Sequence, residues 1–576
     1  MADIENIHAK TPDQIDKLAP LAVGDQKLNR HLGYFSGTMI NIGQIIGTGI
    51  FSNPALILQN TGSGGMMLIL WVIGALTAVS GLAVFMELGT MLPRRMKCPF
   101  LGKTKDSNIS ILPALAEKEY LAYAFPHPRQ LTAFVFMIMI GVFSRGGGLA
   151  QGSLVFGNNI VYSISAGTYK NDWYARGFGV FCITFWILVN IFSAKLAIRF
   201  NNFFTVLKIT LLVLLICVGF AGMAGRLPER PNFEQNFSFD GTLNNAGSYA
   251  NAIYYVIFSY GGYYNLQKVT DELKDPIKNL PRCGVSALGL TTVLYLLANV
   301  AYLSVLPLDE IRSSDLTVAA NLFSKAFGGI FGSRVLPVFV GLSSFGFVGV
   351  VTYSGSRVIL EFARQGHLPF GRFFSRVHPK LHTPIASLGL LYVITLIFLL
   401  APPPGTAFQF IMAFSNYGDY FFAALCGIGL LLLRRSEPNT KRPIRAPIPL
   451  VVFYLLICVF TLVFVYIPPT SAPSAYPYWV PYIASIVFGL ICIGLWYIKM
   501  VRYDGLENSY NTEIRKEGQL ELYKDVFQDY QSSGTTISSH LATPASTSSI
   551  GADDDSITKH GTKSSGVHIR EIDQAQ

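Results

Sequence analysis

Two glycine-containing stretches decide how this chain folds: Asn41-Ile-Gly-Gln-Ile-Ile-Gly-Thr-Gly-Ile-Phe51 and Ile257-Phe-Ser-Tyr-Gly-Gly-Tyr263. Each lies within a long apolar segment, near the centre of that segment. Glycine weakens helices, and unwound backbone at membrane depth is tolerated only where protein surrounds it or where it lines a cavity. The two stretches therefore predict broken helices that line a site inside a membrane protein.

The composition excludes an ordinary soluble enzyme. Of the 576 residues, 51% are hydrophobic and 14% are charged, and the mean hydropathy is +0.41, whereas a soluble domain carries about 25% charged residues. The apolar residues form long runs and do not alternate, which disfavours a β-barrel. Walker A, HExxH and Gly-x-Ser-x-Gly motifs are missing and the seven cysteines are scattered, so we expect no enzyme activity, no cofactor and no metal site.

Apolar segments long enough to cross a membrane occur twelve times. A hydrocarbon core about 30 Å thick needs about 20 apolar residues per helix. We therefore predict an all-α polytopic membrane protein with twelve transmembrane helices. In chain order these predicted spans are 33–59, 66–92, 131–165, 177–195, 201–224, 246–267, 284–307, 335–360, 383–402, 406–433, 447–467 and 478–500.

The basic residues predict the orientation of the chain. The loops after even-numbered spans, counted together with the adjoining span ends, carry 23 Lys and Arg residues. The loops after odd-numbered spans carry 7. Cytoplasmic loops carry the excess of positive charge, so both termini are predicted to be cytoplasmic. The net charge of +10 then reflects topology and does not indicate nucleic-acid binding.

Polar tails flank the predicted membrane domain, which covers residues 33–502. Residues 1–32 contain no apolar stretch typical of a cleaved signal peptide. Residues 503–576 include a Ser-, Thr-, Gly- and Asp-rich stretch with too little apolar surface to fold, so we expect a disordered C-terminal tail.

The two interrupted spans are the first and the sixth, which are equivalent members of two five-helix halves. Interrupted helices in corresponding positions are the best sequence indication of a transporter's binding site. A carboxylate is expected on the N–H groups at a half-helix N-terminus, here Gly47, Thr48 and Gly49. An ammonium is expected on freed carbonyls, here Ile45, Ile46, Phe258 and Ser259. These groups together describe an α-amino acid; the alternative is that the glycines only allow close helix packing, since Gly43 and Gly47 form a GxxxG pattern.

Three ionisable residues within predicted spans are candidates for a functional role. Lys208, in span 5, either occupies the place of a coupling cation or extends its ammonium to the membrane interface. Glu87, in span 2, is a candidate proton relay, and an interfacial role is an equal alternative because it lies close to a helix end. Arg145, in span 3, is a weaker candidate.

Three motifs carry a family resemblance: Gly47-Thr-Gly-Ile-Phe51, Glu272-Leu-Lys-Asp-Pro-Ile-Lys-Asn-Leu-Pro281 and Ser356-Arg-Val-Ile-Leu-Glu-Phe-Ala-Arg-Gln-Gly-His-Leu-Pro369. They resemble the L-type branch of the amino acid–polyamine–organocation superfamily. Leu400-Ala-Pro-Pro-Pro-Gly405 and Tyr476-Pro-Tyr-Trp479 are similar to fungal high-affinity methionine permeases.

The resemblance implies a LeuT-like fold with a five-plus-five inverted repeat, broken helices 1 and 6, and alternating access. It implies that Thr48 and Gly49 bind the substrate carboxylate, and that the carbonyls of Ile45 and Phe258 bind its amine. Ser259, Gly261 and Tyr263 complete the helix 6 part of the predicted site. Lys208 matches the position where sodium-coupled relatives bind their cation, so sodium dependence is not expected.

Two features depart from the family pattern. Arg94 to Ala116 separates motifs that are almost adjacent in the family, and we interpret it as an atypical insertion, either a translated intron or a lineage-specific segment. The outer loop at about Ser165 to Arg176 lacks the cysteine through which animal members bind a heavy chain, so no disulfide-linked heavy chain is expected.

The sequence therefore predicts a plasma-membrane permease that imports a neutral, methionine-like L-amino acid, with protons as the coupling ion. A polyamine or broad-range amino acid transporter is the alternative within the class, and a non-transporting amino acid sensor is the alternative outside it. The expected partners are the amino acid, protons and membrane lipids. Tail lysines are possible ubiquitin acceptors, namely Lys10, Lys17, Lys27 and Lys559.

Overall fold

The computed structural model describes most of the chain between residues 33 and 498. The chain forms two units, Met1–Gly505 and Leu506–Gln576, and every described residue belongs to the first. The predicted tails and, apart from Ala116, the predicted insertion lie outside the described residues. These are 33–91, 116–128, 131–167, 171–227, 233–263, 276–364, 368, 370–378, 381, 383–403, 405–440, 442–470 and 476–498.

Helices make up nearly all of the described chain, and none of its described residues lies in a β-strand. In chain order they are α1 (Tyr34–Ile45), α2 (Gly49–Thr61), α3 (Gly64–Met91), α4 (Ala116–Ala124), α5 (Leu131–Ser165), α6 (Asp172–Phe192), α7 (Ala194–Met223), α8 (Phe233–Phe237), α9 (Ala246–Tyr260), α10 (Pro276–Val305), α11 (Leu308–Ser313), α12 (Val318–Phe327), α13 (Leu336–Arg364), α14 (Gly371–Phe374), α15 (Ile385–Leu400), α16 (Ala407–Ser436), α17 (Ile448–Phe464) and α18 (Val480–Trp496). Met137–Ser144 within α5 is π-helical, and Phe331–Val335, directly before α13, is a second π-helical segment.

The lengths and apolar character of these helices make the chain a polytopic membrane protein. Within the described residues, seven helices are long and apolar enough to cross a membrane, namely α3, α5, α6, α7, α10, α13 and α16. Three further helices, α15, α17 and α18, are also apolar but shorter. Large apolar side chains such as Leu456 and Leu490 are exposed on their outer faces, as a surface in contact with lipid requires.

Several helix boundaries differ from the prediction. Helix α6 begins at Asp172, although span 4 was predicted from 177, because the Asn171 side chain accepts hydrogen bonds from the N–H groups of Trp173 (3.0 Å) and Tyr174 (3.3 Å). Such a cap starts a helix ahead of its apolar part, which hydropathy does not detect. Helix α9 ends at Tyr260, although span 6 was predicted to 267, because Gly262 has φ +98° and leaves the helical region.

Close contacts between helices depend on small residues. A Cβ on Gly157 of α5 would overlap the carbonyl oxygen of Ala175 on α6, and one on Gly219 of α7 would overlap Ala301 on α10. Helices in lipid associate by this kind of close packing, because burial of apolar surface supplies no extra attraction there.

Arg176 joins the beginning of α6 to the end of α15. Its side chain is 1% exposed, and its Nε donates to Asp172 Oδ2 at 2.7 Å. Nη1 donates to the Leu400 carbonyl at 3.0 Å and Nη2 to the Pro402 carbonyl at 2.8 Å. The carbonyls that a helix end leaves without intrahelical partners are thereby satisfied.

We predict that Arg176→Leu lowers the free energy of unfolding by on the order of 3 kcal/mol, because two buried carbonyls and Asp172 lose their donors. Thermal unfolding of the purified protein in detergent measures this loss. Asp172→Asn keeps both carbonyl contacts and serves as the control, with a smaller expected loss. Equal midpoints for Arg176→Leu and the wild type would contradict the assignment.

Candidate functional site

The first predicted span is divided into α1 and α2 by the segment Ile46 to Thr48. Helix α1 ends at Ile45, and the next residue, Ile46, has φ −72° and ψ 83°, outside the helical region. Gly47 N–H donates to the Ile45 carbonyl at 2.7 Å, and α2 begins at Gly49. The sequence assigned three N–H groups to a carboxylate. The N–H of Gly47 is one of them, and it already donates to a carbonyl within the break. At the start of α2, the N–H of Phe51 donates to the Thr48 carbonyl at 3.2 Å, whereas the N–H groups of Gly49 and Ile50 stand at the position where a helix leaves donors without intrahelical acceptors.

The described part of the sixth predicted span also leaves the helix, at Gly261 to Tyr263. Helix α9 ends at Tyr260, and the N–H of Gly261 donates to the Phe258 carbonyl at 3.0 Å. Gly262 lies against α1, where a Cβ would overlap the side chain of Gln44. The positive φ of Gly262 and this close approach both require glycine. Residues 264–267 of the predicted span lie outside the described residues.

The two interruptions lie against each other. A Cβ on Gly49 would be 2.6 Å from Ser259 Cα, so α2 begins in direct contact with α9. Asn53 Nδ2 donates to the Tyr255 carbonyl at 2.9 Å and to Ser259 Oγ at 3.0 Å. Gly47, Thr48, Gly49 and Ser259, which the sequence assigned separately, are thus brought together.

Several buried polar atoms in and beside the break have no hydrogen-bond partner within the described chain. They include Oγ1 of Thr48, in a residue 1% exposed, Oε1 of Gln44, in a residue 6% exposed, Oγ of Ser52 and Oδ1 of Asn53. Buried polar atoms are nearly always hydrogen-bonded, and an exception calls for an explanation such as a bound ligand. Thr48 Oγ1 lies at the N-terminus of α2, where backbone N–H groups and the helix dipole favour an anion.

Tyr295 is a site residue that the sequence analysis missed. Its hydroxyl lies 2.8 Å from the Ile45 carbonyl and 3.0 Å from the Ser259 carbonyl, so one hydroxyl bridges both interruptions. The ring is fully buried, 5.5 Å from the ring of Trp71 and 5.1 Å from that of Tyr260 between centroids. A tyrosine in an otherwise apolar span carries no motif that would have indicated this position.

Phe258 and Tyr263, which were assigned to the helix 6 part of the site, have different surroundings. Phe258 is half-buried, and its ring packs edge-on against that of Phe408 on α16, 6.5 Å between centroids. Tyr263 is buried beside α3, where its hydroxyl lies against Gly81 and its ring is 6.5 Å from that of Phe85. Phe258 remains beside the interruptions, whereas the Tyr263 ring packs into the neighbouring helices.

Lys208 faces the protein interior. It is 1% exposed, its Nζ donates to the Gly43 carbonyl at 3.1 Å, and it lies 6.0 Å from the centre of the Phe347 ring on α13. The ammonium therefore contacts α1 one turn before the break and does not extend to the membrane interface. On α13, the buried hydroxyls of Ser343 and Ser344 have no hydrogen-bond partner among the described residues.

Glu87 belongs to an ion-pair network and not to the interruptions. The carboxylate is fully buried and accepts from Arg434 Nε at 2.9 Å, from Arg434 Nη2 and from the Ala446 N–H at 2.7 Å. Arg442 Nε lies 3.4 Å away. Because these donors lie at the end of α16 and in the segment before α17, the contacts favour the interfacial alternative for Glu87 over a relay.

Comparison with known proteins identifies the class of this arrangement. The sequence pattern of the family described as "Amino acid permease" matches residues 32–96 and 114–503. The chain is 30% identical to the high-affinity methionine permease of Saccharomyces cerevisiae over 81% of its length and 78% of that protein, and 30% identical to the low-affinity methionine permease of the same yeast over 82% and 83%. It is 29% identical to the human large neutral amino acids transporter small subunit 2 over 77% and 76%. With these matches along most of its length, the chain belongs to the amino acid permease family, in the L-type group of the amino acid–polyamine–organocation superfamily.

Proposed function

We propose that this permease imports a neutral, methionine-like L-amino acid across the plasma membrane by proton symport and alternating access. The observation that carries the proposal is the meeting of two interrupted helices at Thr48 and Ser259, with a buried Thr48 hydroxyl that has no partner among the described residues. Paired interruptions of this kind bind substrates in secondary transporters. The similarity to two yeast methionine permeases supports a methionine-like substrate.

In the proposed complex, the substrate carboxylate binds at the N-terminus of α2. The N–H groups of Gly49 and Ile50 and the hydroxyl of Thr48 are the donors. The ammonium binds the Ile45 and Phe258 carbonyls. Since Gly47 N–H and the Tyr295 hydroxyl already contact the Ile45 oxygen, the ammonium competes with Tyr295 for this acceptor.

The substrate side chain is proposed to lie beside Phe258, towards Phe408. The residues assigned to the site, Ile45 to Gly49 and Phe258 to Tyr263, include no carboxylate. A cationic side chain would therefore lack a counter-charge there, which supports a neutral substrate over a polyamine.

The membrane topology is proposed as twelve spans with a five-plus-five inverted repeat. The α1–α2 pair and α9 are the interrupted members, the other spans are the ten apolar helices described above, and both termini are cytoplasmic. The presence of a helix or helix pair at each of the twelve predicted positions supports this arrangement. Residues 1–32 and 503–576 are proposed as tails, with ubiquitin acceptors among their lysines, and no disulfide-linked heavy chain is proposed.

Residues 94–116 are proposed as an insertion into the permease domain. The family pattern matches up to residue 96 and resumes at 114, which supports the interpretation. A full-length transcript from which this segment has been spliced would identify it as an intron, and a transcript that retains it would favour a lineage-specific insertion.

Uptake by permease-deficient yeast that expresses the chain tests the proposed function. A panel of labelled neutral, cationic and acidic amino acids is compared with and without a proton ionophore. We expect accumulation of methionine or a similar neutral amino acid, and its loss with the ionophore. Binding without uptake of any amino acid would favour a sensor and contradict the proposal.

We predict that Gly49→Ala abolishes uptake, because the added Cβ would meet the α9 backbone at Ser259. Thr48→Val is expected to weaken uptake about fivefold, since it removes one hydrogen bond to the carboxylate. Gly289→Ala is the matched control, because a Cβ there meets no atom within 4 Å. Normal uptake by the Gly49 variant would place the binding site elsewhere.

We predict that Tyr295→Phe lowers the turnover number about fivefold to tenfold. In the substrate-free protein the Tyr295 hydroxyl joins the two interruptions, and the variant removes that contact. The expected KM is unchanged or lower, since the ammonium no longer competes with the hydroxyl. Tyr302→Phe on the same helix is the control, because it also removes a hydroxyl that donates to a backbone carbonyl, that of Ile50 at 3.1 Å. Wild-type kinetics for Tyr295→Phe would rule out the bridging role.

We predict that Lys208→Met abolishes uptake and that sodium does not restore it. The variant removes the ammonium that binds the Gly43 carbonyl and thereby frees α1 beside the break. Initial uptake rates in sodium and in choline medium are compared after normalisation to surface protein. Sodium-dependent uptake by the wild type would contradict the proposed role of the lysine as a substitute for the cation.

A further inference from the structure

An aspartate lies in the middle of the long helix α16. Asp419 is the twelfth residue after Ala407, the first residue of α16, and no other charged residue precedes Arg434. At 1.5 Å per residue, it lies about 18 Å from the beginning of α16 and about 22 Å from Arg434. A carboxyl group at this depth of a membrane is costly and indicates a functional role.

Asp419 faces α5 at the end of the π-helical segment Met137–Ser144. The Ser144 hydroxyl donates to Asp419 Oδ2 at 3.2 Å. The preceding residue, Gly418, packs on the same segment, where its Cβ would be 3.3 Å from Ile140 and from Met139. The carboxyl group is therefore held against an irregular part of α5.

The π-helical segment explains why Ser144 reaches Asp419. A π turn contains more residues than an α turn, so side chains after the segment are rotated relative to those before it. Such segments are rare and occur frequently at functional sites. Neither the transport site nor the family motifs described above use this one.

Several charged and titratable groups lie on α16 and on the helices packed around Asp419. From α5, Arg145 follows Ser144, and its Cβ lies 3.9 Å from the Cβ position of Gly355, on the side of α13. On α16 itself, Tyr420 is adjacent and Tyr417 lies half a turn away. The remaining ionisable groups lie on these helices and at one end of α16. They are Tyr162 on α5, Tyr249, Tyr254, Tyr255 and Tyr260 on α9, Tyr482 and Cys492 on α18, Tyr454 and Cys458 on α17, Tyr392 on α15, and, at one end, Cys426 and Arg434 with Glu87 of α3 and Glu117, Lys118, Glu119, Tyr120 and Tyr123 of α4. Asp419 is the one carboxyl group in the apolar part of these helices.

A path of direct contacts leads from Asp419 to the interrupted helix α9. The ring of Tyr420 lies 4.9 Å from that of Tyr254, between centroids. Tyr254 lies one turn before Phe258 on α9, and Phe258 contacts Phe408 on α16. These contacts connect the part of α16 beside Asp419 to the proposed binding site.

We propose that Asp419 binds the proton that this permease transports, and that the Ser144 hydroxyl orients its carboxyl group. The inference rests on the proposed proton symport. The carboxylate takes up one proton from the outer solution and releases it to the inner solution, so one positive charge crosses with each neutral amino acid. Because a hydrogen bond to a carboxylate is stronger than one to a neutral carboxyl group, protonation of Asp419 weakens its contact with Ser144 between α16 and α5.

The test uses the purified full chain in liposomes with labelled methionine. Two measurements are compared: accumulation driven by an inward proton gradient, and counterflow exchange at equal pH on both sides. For Asp419→Asn we expect that the proton gradient no longer drives accumulation, so that methionine only reaches equal concentrations on the two sides. Counterflow exchange is expected to be retained. For Ser144→Ala we expect retained accumulation with a shifted dependence of uptake on pH. Asp240→Asn, at an exposed site, is the matched control with wild-type behaviour.

Accumulation by Asp419→Asn equal to that of the wild type would overturn the inference. Loss of both accumulation and counterflow, in a variant that remains folded, would assign Asp419 a structural role and overturn it as well. If Asp419→Asn does not fold, Asp419→Glu replaces it, and an unchanged pH profile of uptake contradicts the proposal. Counterflow without proton-driven accumulation in the wild type would instead reject proton symport itself.

Discussion

Two unwound backbone segments lie inside a membrane protein, and every polar group that they free must be satisfied without water. The Tyr295 hydroxyl meets this constraint by bridging the Ile45 and Ser259 carbonyls. An unsatisfied carbonyl in the hydrocarbon region costs several kcal/mol. The Ile45 carbonyl also accepts from the Gly47 N–H, so the side chain from α10 adds a donor to the one that the break supplies itself.

The same requirement explains how other helices pack around the site. Lys208 of α7 donates to the Gly43 carbonyl, and Asn53 of α2 donates to the Tyr255 carbonyl of α9. Each contact supports backbone close to an interruption. Thr48 Oγ1 and Gln44 Oε1 lie beside the break without partners among the described residues, which fits the proposed binding of a small zwitterion there. In that proposal, substrate binding is an exchange of hydrogen-bond partners.

Much of the fold could be predicted from hydropathy and glycine positions. All twelve apolar segments contain helices, and the break at Gly47-Thr48-Gly49 was visible because clustered glycines disfavour a helix. Helix ends were less accurate, since caps such as Asn171 lie outside the apolar part. The role of Glu87 was left open between relay and interface, and two arginines that follow it by more than 340 residues favour the interface. Tyr295 was missed because its partners are distant in sequence, whereas Asp419 was missed although it lies within a predicted span.

By itself, the sequence determined the class of the protein, the positions of its helices, the two interrupted spans and the family motifs, because composition and local backbone preference are properties of neighbouring residues. Only the tertiary structure decided which freed groups are available to a ligand. The Ile45 carbonyl meets Tyr295 from 250 residues away, Lys208 meets Gly43 from 165, and Ser144 meets Asp419 from 275. Such contacts depend on how helices pack, and no local pattern specifies which distant side chain will satisfy a buried polar group.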